Sequence, residues 1–136
     1  MDCLFCKIAK GEIPSSKVYE DDELVAFLDI KPVNPGHVLI IPKAHYASLL
    51  ETPEALAGSM MALVPSLGKA VLKAAKAEGF NVAVNTGRVA GQVVDHVHLH
   101  IMPRHANDGY DLWHGKSYDS AEAMNSMANA VRAALQ

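Results

Sequence analysis

Three histidines spaced two residues apart are the residues in this sequence most suited to chemistry. His96, His98 and His100 alternate with apolar residues within the stretch DHVHLHIMPR. A period of two is that of a β-strand, so one face is predicted to carry the histidines, about 6.5–7 Å apart, while the other face packs into a core. Imidazole titrates near neutral pH and can act as nucleophile, proton carrier or metal ligand. Pro103 is predicted to mark the end of the strand, because proline cannot donate to a ladder.

Two kinds of site fit this histidine strand. In an enzyme site, His98 is best placed to attack phosphorus, since one flanking histidine can stabilise a developing negative oxygen and the other can relay a proton. The loop of small residues from Gly87 to Gln92 leads into the strand and can bring backbone N–H groups to a phosphate. In a metal site, two of the imidazoles suit zinc. Ligation by all three would bend the strand, and it is the second interpretation.

The only two cysteines, Cys3 and Cys6, form a C-x-x-C pair near the N-terminus. In a reducing cytosol such a pair indicates metal binding or redox chemistry rather than a structural disulfide. A thioredoxin-like cysteine pair would follow a strand, and no strand is predicted before Cys3. Half of a zinc site is therefore the better interpretation, and the other ligands must come from elsewhere in a chain with seven histidines.

Composition limits the class of protein. The chain has 136 residues, of which 50% are hydrophobic and 20% charged, as expected for one soluble globular domain over 1–136. A net charge of −3 argues against a surface that coats nucleic acid. No uninterrupted apolar run approaches the roughly eighteen residues of a membrane span, and the N-terminus MDCLFCK does not resemble a signal peptide. We therefore expect a cytoplasmic protein that binds neither nucleic acid nor membrane.

The remaining pattern predicts an α+β fold that positions these residues. Short strands joined by short loops favour an antiparallel sheet of about five strands, packed on one face by helices. Strands are predicted over 18–20, 24–30, 37–41, 80–85 and the histidine stretch, and a short helix over 3–10.

Two longer helices complete the predicted fold. One is predicted to begin at Thr52 as N-cap and to kink at Pro65, with an apolar stripe of Leu56, Met60, Leu63, Leu67 and Val71. The last helix is predicted to begin at 119 or 120, with an apolar stripe of Met124, Met127, Val131 and Leu135.

The histidine stretch resembles the H-x-H-x-H-x-x motif of the histidine triad (HIT) family of nucleotide hydrolases and transferases. Further blocks follow in the family's order, namely FCKI, IP, AFLDI, PGHVL, IPKAH, VN and GQ, and together they cover almost the whole chain. The C-x-x-C pair and the ending HIMPR are most similar to the bacterial Hit-type branch. The resemblance implies a HIT-like fold and a homodimer built through the long helix and an edge of the sheet.

The resemblance also implies the reaction. His98 would attack the α-phosphorus of a nucleoside phosphoramidate or dinucleoside polyphosphate, and water would hydrolyse the nucleotidyl-histidine. His37 and His100 would complete the histidine cluster, with His100 near the phosphate. Asn85 and Gln92 match family positions that contact the leaving group or the phosphates.

Binding of an AMP-type purine nucleotide is implied at the end of the second strand. Asp29 would bind the ribose hydroxyls. The base pocket would be walled by Leu4, Phe5, Ile8, Phe27, Leu28 and Ile30. Val93 stands where many relatives have serine or threonine, so a hydrogen bond to a charged group worth about 1.5–3 kcal/mol is lost. We expect activity, reduced on some substrates.

The same resemblance completes the metal site. Cys3, Cys6, His45 and His96 would bind a structural zinc ion as a Cys₂His₂ site. His96 would then fix the strand rather than take part in catalysis. The alternative function is a zinc-containing purine-nucleotide-binding or regulatory protein with little turnover.

Overall fold

The computed structural model describes residues 2–135. Its strands are β1 (Lys17–Glu20), β2 (Leu24–Leu28), β3 (Val38–Pro42), β4 (Gly79–Ala83) and β5 (Leu99–Arg104). Its α-helices are α1 (Leu4–Ala9), α2 (Glu54–Ala62), α3 (Val64–Ala75) and α4 (Ala121–Ala134). The strands form one sheet in the order β1-β2-β3-β5-β4, and every neighbouring pair is antiparallel. The predicted α+β fold with an antiparallel sheet of about five strands is confirmed.

The two faces of the sheet are covered by different helices, because successive strand residues point to opposite sides. One face packs against α2 and α3 in a core formed by Leu24, Ala26, Val38, Ile40, Leu56, Met60, Val64, Val71, Val97, Leu99 and Ile101. On the opposite face, α1 places Phe5 and Ile8 over Val25, Phe27, Leu39 and Ile41 of β2 and β3. This short helix leaves the neighbouring part of its face free for a site.

The predicted long helix is two helices in the structure. Leu63 is the C-cap of α2 and the N-cap of α3. Pro65 lies in the first turn of α3, where its missing N–H removes no helical hydrogen bond. Gly68 allows α3 to approach β4, since a Cβ there would lie 2.6 Å from the ring of Phe80. The predicted stripe faces the core, joined by the buried Val64.

The predicted N-cap of this helix is wrong. Pro53 is the N-cap of α2, and the hydroxyl of Thr52 donates to the carbonyl of Ser48 at 2.9 Å. By length and composition, the stretch Glu54–Ala75 is apolar enough to cross a membrane, with a mean hydropathy of 1.5 over an 18-residue window. The stretch packs Leu56, Met60, Val64 and Val71 against the sheet, as the core helix of a folded domain does.

The predicted histidine strand is shorter in the structure, since β5 begins at Leu99. Only His100 lies within the strand, while His96 and His98 precede it. β3 pairs with β5 over three residue pairs, and the N–H of Val97 donates to a loop carbonyl at 2.7 Å instead of to a strand. The predicted alternation nevertheless holds, because the apolar residues enter the helix-covered core and the histidines face the side of α1.

Pro103 does not end the strand, because β5 continues to Arg104. The carbonyl of Pro103 accepts a hydrogen bond from Nδ2 of Asn34 at 2.9 Å. The nitrogen and carbonyl of a strand residue point to the same side, so the missing N–H faces the region where β3 has no partner for it. The proline therefore removes no ladder hydrogen bond.

The last helix, α4, begins where predicted and is capped by Ser120, whose hydroxyl accepts from the N–H of Ala123 at 3.0 Å. Its apolar stripe is exposed, from 49% at Met124 to 74% at Leu135. The predicted packing of helices on one face of the sheet is therefore confirmed for α2 and α3 and is wrong for α4.

Candidate functional site

A backbone hydrogen bond determines which nitrogen of His98 is free. Nδ1 lies 2.7 Å from the carbonyl oxygen of His96. A carbonyl only accepts, so neutral His98 carries its proton on Nδ1 and keeps a lone pair on Nε2. Phe5 packs edge-on against the imidazole, with the ring centroids 5.0 Å apart. A buried imidazole held in this way is suited to nucleophilic attack through Nε2.

A chain of hydrogen bonds orients two further imidazoles. The N–H of Val33 donates to Nδ1 of His37 at 3.0 Å, so neutral His37 carries its proton on Nε2. That nitrogen donates to Nδ1 of His100 at 2.9 Å and lies 3.8 Å from Oδ2 of Asp29. His100 then carries its proton on Nε2, which is buried and has no hydrogen-bond partner within residues 2–135. This N–H is an unsatisfied donor on a residue that lines the cavity described below.

Burial keeps these histidines neutral. It is the main cause that lowers the pKa of His37 and of His98 below the usual value. For His100, burial and the neighbouring His98 and His37 lower the pKa to about 4, with the carboxylate of Asp29 acting in the opposite direction. At neutral pH the cluster therefore acts through defined neutral tautomers.

A cavity of about 840 Å³ opens beside His98 and His100. Its volume is in the range of small-molecule sites, about 300–1,000 Å³. Its lining includes Asp29, Val93 and all six residues predicted to wall the base pocket, which are Leu4, Phe5, Ile8, Phe27, Leu28 and Ile30. The structure therefore brings the predicted nucleophile and the predicted base pocket into one concave, mostly apolar site, which we call the nucleotide cavity.

Asp29 lies directly after β2, at the wall of the nucleotide cavity. One carboxylate oxygen accepts from the N–H of Lys31 at 2.9 Å, and the backbone N–H of Asp29 donates to the carbonyl of His37 at 2.9 Å. These bonds fix the residue while leaving acceptor capacity on both oxygens. A fixed carboxylate beside an apolar pocket is able to accept hydrogen bonds from two ribose hydroxyls.

Gln92 and Asn85 have different surroundings. Both ends of the Gln92 amide hold the preceding loop, because Nε2 donates to the carbonyls of Ala47 and Val94 at 2.6 and 3.1 Å and Oε1 accepts from the N–H of Gly87 at 3.0 Å. A direct contact with phosphate would require these bonds to break. Asn85 lies on the other side of His100, in a second cavity.

Cys3, Cys6, His45 and His96 form a cluster in which one ligand atom of each lies within 4.8 Å of every other. Sulfur-to-nitrogen distances within it are 3.3–3.5 Å, and the two Nδ1 atoms lie 3.2 Å apart. Tetrahedral zinc with ordinary bond lengths requires ligand separations of about 3.3–3.8 Å. Nε2 of His96 donates to the carbonyl of Pro42 at 2.8 Å, which leaves Nδ1 as the ligand atom. The donor set thus fits zinc.

The second cavity measures about 440 Å³ and adjoins the first at His100. Sequence reasoning did not place its outer wall, which comes from Tyr110, Asp111, Leu112 and Trp113. Arg104 and Asp108 anchor this wall, with Nε to Oδ2 at 2.8 Å and Nη2 to the carbonyl of Tyr110 at 2.9 Å. In the sequence, the signal for this wall was the four-residue spacing of Arg104 and Asp108 before Gly109.

Comparison with known proteins identifies the family of this chain. The family model described as HIT domain matches residues 10–107, and this chain belongs to the HIT family. The match includes all three histidines of the triad and ends before the wall at Tyr110.

Two curated relatives are enzymes by name. The chain is 47% identical over 116 residues to adenylylsulfatase HINT3 of Arabidopsis thaliana, covering 85% of this chain and 58% of that protein. It is 49% identical over 107 residues to adenosine 5'-monophosphoramidase HNT1 of Candida albicans, covering 75% and 70%. The chain thus spans little more than half the length of the first relative.

Two solved structures extend the likeness to the whole chain. A HIT family protein from Bacillus subtilis shares 37% identity with a TM-score of 0.92, covering 100% of this chain and 99% of that one. A zinc-bound histidine triad family protein from Mycobacterium smegmatis shares 33% identity with a TM-score of 0.77, covering 98% of each chain. Membership of the bacterial Hit-type branch agrees with the first of these.

Proposed function

We propose that this HIT family protein is a nucleotide hydrolase that cleaves the bond between the α-phosphorus of an AMP-type nucleotide and its leaving group. The substrates are nucleoside phosphoramidates or dinucleoside polyphosphates. The observation that carries the proposal is the free Nε2 of His98, oriented by a backbone carbonyl at 2.7 Å beside a cavity suited to a nucleoside. Names of relatives as adenylylsulfatase and phosphoramidase support hydrolysis of nucleotides in general.

The reaction has two half-steps. Nε2 of His98 forms a bond to phosphorus while the bond to the leaving group breaks, and the leaving group keeps the electron pair and takes one proton from water. A second water then attacks phosphorus, the bond to Nε2 breaks, AMP leaves and one proton returns to solvent. The unpartnered Nε2–H of His100 donates to a phosphoryl oxygen, and His37 holds that ring in the required tautomer.

Recognition of the nucleotide follows from the cavity walls. The apolar side chains hold the base, with Phe5 and Phe27 packed edge to face at 5.6 Å. Asp29 accepts from the ribose hydroxyls. Asn85 acts on the leaving-group side, and Gln92 supports the loop that brings Val93 to the cavity.

Zinc belongs to the proposal as a structural cofactor. A bound ion would join α1 to the loops that carry His45 and His96. With two cysteines and two histidines as ligands, the ion would have no coordination position left for substrate and would act as a structural crosslink. Since α1 also carries Phe5 and Ile8, the ligands hold the wall of the nucleotide cavity in place.

The test is covalent labelling of His98. Protein incubated with an AMP donor labelled at the α-phosphorus and quenched in base is expected to carry acid-labile label, and His98→Ala is expected to carry none. The second candidate is a nucleotide-binding protein with little turnover, favoured by the absence of a hydroxyl at Val93. Binding of AMP without label or turnover in the native protein would establish that candidate instead.

The proposal further includes a cytoplasmic homodimer. Each chain of the dimer forms one HIT domain over 1–136. β4 is an edge strand, and Val82 on it and Met61 on α2 are 36% and 50% exposed. A second copy that adds its own β4 to this edge would cover both the strand and the helix. Light scattering is expected to give twice the chain mass, and a single-chain mass would contradict the dimer.

A further inference from the structure

Arg88 lies on the loop that precedes the three histidines and has no role in the proposed function. It begins the short 3₁₀-helix Arg88–Ala90, which turns the chain so that its side chain reaches carbonyls four and five residues ahead. Nη1 donates to the carbonyls of Gln92 and Val93 at 3.2 and 2.7 Å. Nη2 lies 3.1 Å from Oδ2 of Asp95 in an exposed ion pair, which by itself contributes little stability. The two carbonyl bonds are therefore the distinctive contacts of this side chain.

The carbonyls of Gln92 and Val93 point to the same side of the chain, because one nitrogen of Arg88 binds both. Successive carbonyls of a strand point to opposite sides, so this arrangement departs from strand geometry. In a trans peptide unit the N–H points away from the carbonyl, and residues 2–135 contain no cis peptide bond. The N–H groups of Val93 and Val94 therefore both point away from Arg88.

The N–H groups of Val93 and Val94 are unused donors. Neither has a hydrogen-bond partner within residues 2–135. Both residues line the nucleotide cavity, and Arg88 is not among the described residues that line it. Adjacent N–H groups that point to one side form a concavity that binds anions. Val93 has no side-chain hydroxyl, so its N–H is the one donor that it can offer to a phosphoryl oxygen.

Resting on the proposed function, we infer that Arg88 is a positioning residue for the reaction at phosphorus. By holding two carbonyls on the outer side of the loop, it turns the N–H groups of Val93 and Val94 toward the phosphoryl oxygens. Gln92 holds the next carbonyl, that of Val94, through Nε2 at 3.1 Å. Donors that are oriented before the reaction stabilise the charge of the transition state without reorganisation. Arg88 acts through the loop and does not touch the substrate.

The first test compares the binding of AMP and of adenosine, which has the base and the ribose but no phosphoryl group. Arg88→Ala is expected to weaken AMP binding by about tenfold, the loss of a hydrogen bond to a charged group, and to leave adenosine unaffected. General damage to the cavity weakens both ligands, so equal losses in calorimetry overturn the inference. Arg132→Ala is the matched control, because Arg132 is an exposed arginine of α4 that bonds to Asn129. It is expected to keep both native affinities.

The same comparison at two salt concentrations separates positioning from a direct effect of charge. Between about 0.1 M and about 1 M salt, the screening length falls from about 10 Å to about 3 Å. The loss of AMP affinity in Arg88→Ala is expected to be equal at both concentrations. Asp95→Asn removes a negative charge beside the guanidinium and is expected to give no gain in AMP affinity. A loss that disappears at high salt, or tighter AMP binding by Asp95→Asn, refutes the positioning role.

Amide resonances test the geometry directly. In isotope-labelled native protein, AMP is expected to shift the amide signals of Val93 and Val94, because both N–H groups gain a charged acceptor. Adenosine is expected to leave them nearly unchanged, and Arg88→Ala is expected to lose most of the shift with AMP. AMP that binds to native protein without moving either signal refutes the assignment of these N–H groups.

Turnover separates this inference from the proposed function. For an AMP phosphoramidate, Arg88→Ala is expected to lower kcat/KM by about tenfold or more, and Arg132→Ala is expected to keep the native value. Unchanged turnover in Arg88→Ala refutes the positioning role and leaves the proposed function standing. If native protein turns over no donor, the proposed function fails, and the comparison of AMP with adenosine still decides whether Arg88 orients the loop.

Discussion

His96 and His98 are neighbours on one segment, yet each carries its proton on a different ring nitrogen. Nε2 of His96 donates to the carbonyl of Pro42, which leaves Nδ1 facing the sulfur atoms of Cys3 and Cys6. Nδ1 of His98 donates to the carbonyl of His96, which leaves Nε2 facing the nucleotide cavity. The same side chain thus presents a free ring nitrogen to the cysteine cluster in one case and to the nucleotide cavity in the other.

The comparison teaches that the backbone acceptor, rather than the residue type, assigns the role. Both imidazoles are buried, at 0% and 5% exposure, and burial is the first cause that lowers the pKa of each. Burial therefore does not separate them. The two histidines differ in where a backbone carbonyl lies relative to the ring, and this position decides which nitrogen keeps the lone pair.

The largest expected effect comes from replacing each of these two histidines in turn by alanine. His98→Ala is expected to lower turnover by about 10³-fold or more while zinc content and thermal stability stay near the native values. His96→Ala is expected to lose zinc and thermal stability, with activity falling as a consequence. Metal analysis and thermal unfolding of both variants are the measurements. Loss of zinc in His98→Ala, or a native zinc content in His96→Ala, would contradict the division of roles.

A cysteine change tests whether the metal cluster supports the nucleotide cavity. Cys6→Ser is expected to reduce zinc from about one ion per chain to a small fraction and to lower Tm by about 10 °C or more, because a six-residue helix such as α1 is not stable alone. KM for the nucleotide is expected to rise as Phe5 and Ile8 lose their support. Lys10→Ala, at the exposed end of the same helix, is the control and should change neither quantity. An unchanged KM in zinc-free protein would show that the two clusters are independent.

Much of this arrangement could be predicted from the sequence, because it depends on alternation and spacing. The faces of Val97 and His98 followed from a period of two, and Cys3 with Cys6 indicated half of a metal site. The strand boundary could not be predicted, since it depends on where β3 stops pairing and on a hydrogen bond from Val97 to the loop at Tyr46.

The tautomers were equally beyond sequence reasoning. They depend on carbonyls and N–H groups brought in by the fold, such as that of Pro42, which is 54 residues from His96. Gln92 shows the same limit, because its amide holds the loop through Ala47 and Gly87. Spacing together with the resemblance to the HIT family indicated which residues meet at the site, and tertiary contacts decided what each nitrogen and oxygen does there.

A smaller effect is expected from pH, through His100. Its pKa in the folded protein is about 4, below the value near 6.5 of an unfolded histidine, so the unfolded chain binds more protons between these values. The free energy of unfolding should therefore decrease as pH falls from about 6.5 to about 4. Urea unfolding across this range is expected to show a shallower pH dependence in His100→Asn, by up to about one proton. His114→Asn, at an exposed histidine, should keep the native dependence, and equal slopes for all three proteins would exclude a neutral buried His100.

The smallest effect is expected from adding a hydroxyl group to the wall of the nucleotide cavity. Val93 is 76% exposed and lines the nucleotide cavity, so Val93→Ser should place a hydroxyl there without disturbing the core. A new hydrogen bond to a phosphate oxygen, worth at most about 1.5–3 kcal/mol, should raise kcat/KM severalfold, with zinc content and Tm unchanged. Val93→Thr should reproduce the gain, and Val93→Ala, which has no hydroxyl, should not. If alanine matches serine, steric relief rather than hydrogen bonding explains the gain, and the hydroxyl missing at this position does not limit the reaction.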